Sequence, residues 1–282
     1  MLDFLWQPSG FDIGETGFLS FDSAQPLWHA LLVGLGNTLR VSLPALVLAT
    51  VLAVLVALAR RGRDPVIKSA ALVYTDAIRN VPLMVQLLLC YFLIIEVLPD
   101  STAAIQLLPG VLLSKGGLAF PWWDGAAQAW SWPVQDVFNV SGGAAVTPEY
   151  LAVMLALTLY TSAFLSEVIR GGLEAVPPSL AEAAETLGAS RWQVIWQVVM
   201  PQALRTIVPA ATNQYLNLIK NSSLAVAVGY PDLVSVSNTA GNQTGRALEC
   251  VLVMMGCYLC LSLLTAGFMN WFNARVAVKG DA

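Results

Sequence analysis

The chain has 282 residues, of which 57% are hydrophobic and 11% are charged, and its formal net charge is −4 at pH 7. Soluble domains carry about 25% charged residues, so this composition excludes an ordinary soluble protein and indicates that most of the chain faces lipid or other protein. The charge balance is mildly negative and the sequence has no basic face, which argues against a nucleic-acid partner.

Neither a leader nor a catalytic motif is recognisable in the sequence. The first residues, MLDFLWQPSGFDIGETG, lack the basic start and long apolar stretch of a signal peptide, so we expect the spans to act as their own insertion signals. The chain has no G-x-x-x-x-G-K-[ST], no G-x-S-x-G and one histidine, and its four cysteines lie in apolar runs. The sequence therefore predicts no catalytic residue, no metal site and no cofactor bound by this chain.

Five apolar stretches approach the roughly 20 residues that a helix needs to cross the hydrocarbon core of a bilayer. The predicted spans are approximately 27–60, 68–98, 149–170, 201–229 and 247–275. We therefore predict an all-α integral membrane protein with five transmembrane helices. An external N-terminal segment, 1–26, precedes the transmembrane domain, 27–278, and an external loop, 99–148, joins the second and third spans.

Lysine and arginine are concentrated in three segments, which the positive-inside rule places in the cytoplasm. These are the loop after the first span, the surroundings of the segment between the third and fourth spans, and the C-terminus. Their basic residues are Arg60, Arg61, Arg63, Lys68 and Arg79, then Arg170, Arg191 and Arg205, and finally Arg275 and Lys279. Residues 1–26 have no lysine or arginine, and the 99–148 loop has only Lys115. The sequence therefore predicts an outer N-terminus and an inner C-terminus.

The external loop is rich in tryptophan and contains Trp122, Trp123, Trp130 and Trp132. Tryptophan favours the membrane–water interface, so an aromatic belt is the simpler interpretation, and we favour it for most of the four. Tryptophan is also enriched in binding hot spots, which leaves a docking surface for a soluble partner as the alternative.

The third predicted span carries polar and aromatic side chains toward its cytoplasmic end. Glu167 and Arg170 have opposite charges and lie one helical turn apart, so they could form an ion pair or contact a charged solute. One to two turns before them lie residues with hydroxyl or aromatic groups, Tyr160, Thr161, Ser162 and Phe164.

A polar, glycine-interrupted segment, 174–200, separates the third and fourth spans. Ser179 and Glu182 have the spacing of a capping box, and Gly188 is placed to end this first short helix. Ser190 could cap a second one. We therefore predict two short helices at an angle on the cytoplasmic surface, with the next span beginning at Pro201.

Two interpretations of this segment remain open. An amphipathic hairpin could rest on lipid headgroups, or a helix could lie in a groove of a cytosolic partner. Lipid anchoring favours bulky apolar groups, whereas close packing against protein favours small ones. Ala183, Ala184 and Gly188 therefore favour the partner.

The fourth predicted span contains an ionisable residue, Lys220, followed by Asn221, Ser222 and Ser223. A charge at that depth is rare and usually faces a cavity or a partner. The run NLIKNSS, which begins at Asn217, could support a locally loosened helix whose free backbone groups line a path. Alternatively, Lys220 snorkels or pairs with an acid and is purely structural.

The segment between the third and fourth spans resembles the EAA motif of ATP-binding-cassette importer permeases. The resemblance rests on Glu182-Ala183-Ala184, on Gly188, and on Val198-x-Met200-Pro201, where the usual pattern ends in Ile-x-Leu-Pro. It implies that this segment is the coupling helix, which sits in a cleft of a separate ATPase subunit. The residues implied in coupling are Glu182, Ala183, Ala184, Gly188 and Pro201.

Longer stretches resemble the polar amino-acid uptake branch of that family. They are DAIRNVPLMVQLLL, SAFLSEVIRGGLEAVP and NLIKNSSLAVAVGYPDL, and the shorter pieces SGFDIG and GGLAFP resemble the Q-type subunit of general L-amino-acid permeases. The resemblance implies a multi-pass permease of the bacterial inner membrane that imports amino acids. It also implies a related, non-identical second permease, a cytoplasmic ATPase dimer that binds ATP with Mg²⁺, and an external substrate-binding protein.

An amino acid is a zwitterion, so its path needs a cation for the carboxylate and an acceptor for the ammonium. Lys220 and Glu167 have the required signs, and whether they share one site stays open. The predicted path residues are Tyr160, Thr161, Ser162, Phe164, Glu167, Asn217, Lys220, Asn221, Ser222 and Ser223. A secondary transporter is the alternative function, although it would need inverted repeats that the sequence does not contain. A membrane enzyme would need a catalytic cluster.

Overall fold

A computed structural model describes residues 3–17, 19–125, 128–136 and 139–276, so the predicted end of the transmembrane domain and Lys279 lie outside the described residues. The described chain is mostly helical, as predicted. Its α-helices are α1 (Leu27–Arg61), α2 (Pro65–Asn80), α3 (Leu83–Val97), α4 (Pro148–Glu174), α5 (Pro178–Thr186), α6 (Arg191–Gln193), α7 (Met200–Asn221), α8 (Leu233–Thr244) and α9 (Ala247–Val276).

Within the described part of the chain, three helices are long and apolar enough to cross a membrane by themselves, namely α1, α4 and α9. The pair α2 and α3 passes the same test only when it is counted as one broken span. The helix breaks at Val81, whose backbone is extended (φ −105°, ψ 133°), because the following Pro82 disfavours a helical conformation in the residue before it. The five-span count therefore stays a prediction.

The predicted fourth span is more polar than a lipid-facing helix. Its α-helical part, α7, carries Arg205, Asn213, Asn217 and Lys220, and its chain continues as a 3₁₀-helix over Ser222–Val228. The chain changes from α-helical to 3₁₀ hydrogen bonding after Asn221, whereas Asn217 and Lys220 stay in the α-helix. That free backbone groups here line a path stays a prediction.

The prediction of an all-α protein is wrong for the loop predicted to be external, 99–148, which folds into short antiparallel strands. They are β1 (Ile105–Leu108), β2 (Val111–Ser114), β3 (Gly117–Phe120), β4 (Trp122–Asp124), β5 (Ala129–Ser131), β6 (Val134–Gln135), β7 (Val140–Ser141) and β8 (Ala144–Val146). One sheet has the order β1-β2-β3-β8, and β4-β5 and β6-β7 form two further pairs. Short apolar runs separated by two-residue turns such as Pro109-Gly110 indicate β-hairpins. These local patterns are not visible in the hydropathy of the loop as a whole.

The helices contribute to two compact units. The first comprises Met1–Val41, Pro82–Leu157 and Ser222–Ala247. In it, the Asn37 side chain donates to the carbonyls of Glu15 (2.7 Å) and Pro231 (2.9 Å), and the Tyr230 hydroxyl donates to the Asn37 carbonyl. These bonds tie the N-terminal segment and the chain before α8 to α1.

The second unit comprises Ser42–Val81, Thr158–Asn221 and Leu248–Ala282. Its core consists mainly of small or branched residues, Ala53, Leu165, Ala203, Ile207 and Ala211. Gly172 permits close packing of α4 on α7, since an added Cβ would lie 2.3 Å from Ile207 Cγ1. Small residues at helix contacts are typical of membrane bundles, where van der Waals packing replaces hydrophobic burial. This unit contains most of the predicted site residues.

Candidate functional site

Glu167 lies at the centre of an arginine cluster in the second unit. Its carboxylate forms ion pairs with Arg60 and with Arg170, whose Nε and Nη2 lie 3.0 and 2.8 Å from Oε2. Arg79 Nη1 lies 3.9 Å from Oε1, at the limit of a direct ion pair. Only 17% of the Glu167 side chain is exposed, so desolvation makes these charged contacts stronger than surface pairs.

The ends of two helices, α1 and α2, meet at this carboxylate on α4. Arg60 is in the last turn of α1, Arg79 is in the last turn of α2, and Arg170 lies one turn beyond Glu167 on α4. Arginine is favourable at helix C-termini because the free carbonyls there carry partial negative charge. Arg170 Nη1 also contacts Glu174 at 2.5 Å, so three guanidiniums share two carboxylates, and Asp76 lies close enough to interact electrostatically with Arg60.

Aromatic and hydroxyl groups extend the cluster along α4. The Arg79 guanidinium lies 5.2 Å from the ring centre of Phe164, which in turn lies 4.8 Å from the Tyr160 ring. The hydroxyl groups of Tyr74 and Ser162 are 2.6 Å apart, and Tyr74 also donates to the Leu159 carbonyl. Ser162 is buried, as is its neighbour Thr161.

From the sequence, Arg60 and Arg79 were recognised only as indicators of membrane orientation, and Tyr74 was not recognised as a site residue. All three contact the predicted α4 residues in the structure. The positions of the two arginines at the ends of apolar helices were visible in the sequence. Their convergence on one acid depends on how α1 and α2 pack against α4.

The other predicted path residues lie at and beyond the end of α7. Asn217 and Lys220 are on its exposed face, α7 ends at Asn221, and the 3₁₀-helix begins with the buried Ser222 and half-buried Ser223. Among the described residues, Lys220 forms no ion pair with Glu167 or with any other acid. The structure therefore does not bring the two predicted charges into contact.

The first helix of the segment between α4 and α7 is α5, and none of its residues is buried. Glu182 and Ala183 are exposed, and Ala184 is half-buried. Leu187, directly after the helix, is 89% exposed. Single exposed apolar side chains are common on protein surfaces, so the notable feature is that all of α5 is unburied and that Leu180 (40%) and Trp192 (69%) in the same segment are exposed as well.

The predicted capping box of Ser179 and Glu182 is wrong. Pro177 occupies the N-cap position without a side-chain hydrogen bond, and the helix begins at Pro178. A proline is well suited to the first helical position because its fixed φ is already helical and no backbone N–H is needed there. Ser179 is consequently inside the first turn and does not precede the helix.

Gly188 ends α5 as predicted, with a left-handed backbone (φ +89°). The Gly188 N–H donates to the Glu185 carbonyl at 2.9 Å, and the Ala189 N–H donates to the Ala184 carbonyl at 3.1 Å. This pair of hydrogen bonds is a Schellman motif. It turns the chain sharply away from α5, and an added Cβ at Gly188 would meet no atom within 4 Å.

The second predicted short helix is not separate from the following span. Ser190 caps it, with a reciprocal capping box to Gln193, as the sequence suggested. The chain then forms a π-helix over Val194–Val199 and continues directly into α7. Pro201 has no N–H to donate one turn back, and the wider π turn before it accommodates that loss without ending the helix.

Residues 45–278 match the family described as "Binding-protein-dependent transport system inner membrane component". The chain is 35% identical to the general L-amino acid transport system permease protein AapQ of Rhizobium johnstonii, with 98% of this chain and 83% of the relative covered. It is 34% identical to the putative amino-acid ABC transporter permease protein YhdX of Escherichia coli K12, with coverage of 98% and 85%.

Two solved structures share the fold. A crystal structure of an amino acid ABC transporter with histidines matches with a TM-score of 0.62 at 24% identity, covering 88% of this chain and 94% of that one. An inward-facing MetNI methionine ABC transporter matches with a TM-score of 0.60 at 17% identity, covering 89% and 97%.

Proposed function

Because this chain belongs to the family of binding-protein-dependent transport system inner membrane components, we propose that it is the permease subunit of an ATP-driven amino-acid importer. It is a multi-pass transport subunit and not an enzyme. The amino-acid substrate is supported by the names of the two relatives at 35% and 34% identity, both of which are amino-acid permeases. A secondary transporter is not favoured, because a transporter of that class is not driven by an ATPase and would need no exposed helix for ATPase docking.

The exposed helix α5 is the observation that carries this function. A helix with no buried residue, followed by a largely exposed Leu187 and a rigid Schellman turn, has the form of a docking element. Small Ala183 and Ala184 allow close approach to a groove, while Leu187 supplies an apolar anchor. We propose that this groove belongs to the cytoplasmic ATPase dimer, which binds ATP and Mg²⁺.

The continuous helical path from Ser190 into α7 suggests how movement of the ATPase reaches the membrane. Displacement of α5 acts through the Gly188 turn on the π-helix and then on α7. α7 carries Asn217 and Lys220 on its exposed face and leads to Asn221, Ser222 and Ser223. In this proposal Glu182 and Pro201 mark the two ends of the coupling segment, and the polar residues at the end of α7 line the substrate path.

We propose that the arginine cluster around Glu167 is a second polar region of the substrate path, beside the polar residues at the end of α7. Arg79 is the guanidinium best placed to bind a substrate carboxylate, because 39% of its side chain is exposed and it is the least engaged partner of Glu167. The Phe164 and Tyr160 rings and the Glu167 carboxylate present electron-rich groups to a substrate ammonium. When no substrate is present, the arginines and Glu167 close on one another. Ser162 joins α4 to Tyr74 of α2, and Thr161 is the buried residue beside it.

The proposed assembly has five spans, an external N-terminus and a C-terminus in the cytoplasm of a bacterial cell. Its further parts are a related second permease and an external substrate-binding protein.

The test is a panel of single amino acids added to proteoliposomes that contain the purified complex and the binding protein. Stimulated ATP hydrolysis together with uptake of at least one amino acid is expected. Hydrolysis and uptake that no amino acid stimulates would refute the substrate class.

A further inference from the structure

The second unit contains an apolar groove that the transport mechanism does not use. Its volume is about 880 Å³, and it lies between α1, α4, the π-helix, α7 and α9. Val54, Leu58, Ile169, Trp196 and Phe268 are among the lining residues. Several of these side chains stay largely exposed, so the groove is open along one side.

A basic residue lies at one end of this groove. Arg61, the last residue of α1, is exposed and forms no ion pair within the described part of the chain. The adjacent Arg60 is committed to Glu167, so Arg61 is the guanidinium of this pair that remains available for an external anion. Trp192 and Trp196, whose ring centres are 5.3 Å apart, also line the groove. Tryptophan is enriched at the headgroup level of a membrane, and arginine is common at the cytoplasmic ends of spans.

We propose that this groove is a binding site for one phospholipid with an anionic headgroup. An acyl chain lies among the apolar side chains of α1, α4 and α9, and the headgroup phosphate accepts hydrogen bonds from the Arg61 guanidinium. Charge complementarity selects this occupant, because a groove that is apolar except for Thr50 and Tyr215, whose hydroxyls bond each other, and that has one unpaired guanidinium at its end matches an anionic amphiphile. A second permease would have to supply both an apolar ridge and an acid at the same place.

A lipid in this groove touches the coupling segment directly. Ile195, Trp196 and Val199 of the π-helix form part of the wall, as does Trp192 just before it. The lipid therefore supports the helical turn that joins α5 to α7. This consequence rests on the proposed coupling function, whereas the binding site itself does not.

Native mass spectrometry of the purified complex tests the site. Phosphatidylglycerol and phosphatidylcholine with identical acyl chains are added in equal amounts, and retained lipid is counted. We expect preferential retention of one phosphatidylglycerol, and Arg61→Gln should lower that retention about fivefold, the value of one basic residue near a membrane surface. Arg63→Gln, which removes an exposed arginine outside the groove, should leave retention unchanged.

A second pair of variants tests the apolar part. Leu58 and Leu55 on α1 are equally exposed, at 57% and 58%, but only Leu58 lines the groove. Leu58→Trp should displace the lipid and Leu55→Trp should not. Equal retention of the two lipids by the wild type, or equal effects of Arg61→Gln and Arg63→Gln, would overturn the proposal. It would also be overturned if Leu58→Trp releases the second permease while no lipid is bound by the wild type.

Because lipid retention needs neither ATP nor substrate, this experiment succeeds or fails independently of amino-acid transport. A complex that retains phosphatidylglycerol through Arg61 but responds to no amino acid would support the lipid site and refute the proposed substrate class. Amino-acid uptake by a complex without lipid selectivity would support the proposed substrate class and refute the lipid site.

Discussion

Glu167 and Arg60 form an ion pair that joins the middle of the chain to the end of α1, with only 17% and 12% of their side chains exposed. Arg170 and Arg79 approach the same carboxylate, so one acid holds the ends of α1 and α2 against α4. Such a cluster is sensitive to the removal of its single central charge, because the guanidiniums left behind would repel one another.

Removal of the charge on Glu167 should both destabilise the chain and impair transport. Glu167→Gln keeps the side-chain volume but leaves Arg60 without its carboxylate. We expect the free energy of unfolding to fall by about 1–3 kcal/mol, less than for a fully buried pair because the cluster is partly exposed. Thermal melting and uptake in proteoliposomes measure the two effects. The control is Glu174→Gln, whose side chain is 56% exposed, and it should cost at most about 0.5 kcal/mol. Equal effects of the two variants would contradict the central role of Glu167.

Lys220→Ala should reduce uptake more than it reduces the amount of assembled complex. The residue lies on the exposed face of α7 and forms no ion pair among the described residues, so its loss should leave no buried acid unpaired. Uptake and membrane abundance are measured together. Lys68→Ala, another exposed lysine on α2, is the matched control and should transport normally. Normal uptake by Lys220→Ala would exclude it from the path, and loss of the protein would assign it a structural role.

Gly188→Leu should separate the permease from its ATPase without preventing insertion. An added Cβ there meets no atom within 4 Å, so the penalty is the left-handed backbone, about 1–2 kcal/mol, together with bulk on the docking surface. Pull-down of the ATPase and uptake are the measurements. Gly171→Leu is the control, because its site on α4 is equally open but its backbone is helical. Full ATPase binding with full transport in Gly188→Leu would refute the coupling role of this segment.

Leu187→Ala should weaken ATPase binding while the permease keeps its stability. The side chain is 89% exposed in the isolated chain, so its truncation removes little internal packing. If the ATPase buries it, the loss in binding should be about 1.5–3 kcal/mol. Titration of the ATPase against the purified permease measures this change. Leu248→Ala, at an exposed position on α9, should bind the ATPase as the wild type does.

Cysteine labelling should report opposite sides for the external loop and the coupling segment. In a variant that lacks the four native cysteines, Gly125→Cys should react with an impermeant thiol reagent added to intact cells. Glu185→Cys, on the exposed surface of α5, should react only after the membrane is opened. Reversed accessibility would overturn the orientation and, with it, the site proposed for the ATPase.

The features that sequence alone predicted correctly are local ones. Hydropathy identified a mostly helical membrane protein, and the polar run NLIKNSS contains the point, Ser222, at which the α-helix changes to a 3₁₀-helix. Gly188 and Ser190 were recognised as helix ends because a cap depends on three or four neighbouring residues and their own hydrogen bonds. The Ser179 capping box failed on the same local scale, because Pro177 and Pro178 started the helix earlier.

Tertiary packing decided which distant residues meet. Nothing near Glu167 in the sequence indicates that Arg60 and Arg79 reach it, or that Tyr74 meets Ser162, because these contacts depend on how α1 and α2 pack against α4. The short strands of the external loop also needed their partners, since a four-residue apolar run becomes a strand only when another pairs with it. The apolar groove beside Arg61 exists only where α1, α4, α7 and α9 converge. Composition and local hydrogen bonding therefore set the class of protein and its helix ends, whereas the packing of helices far apart in the chain assembled the charged cluster and the groove.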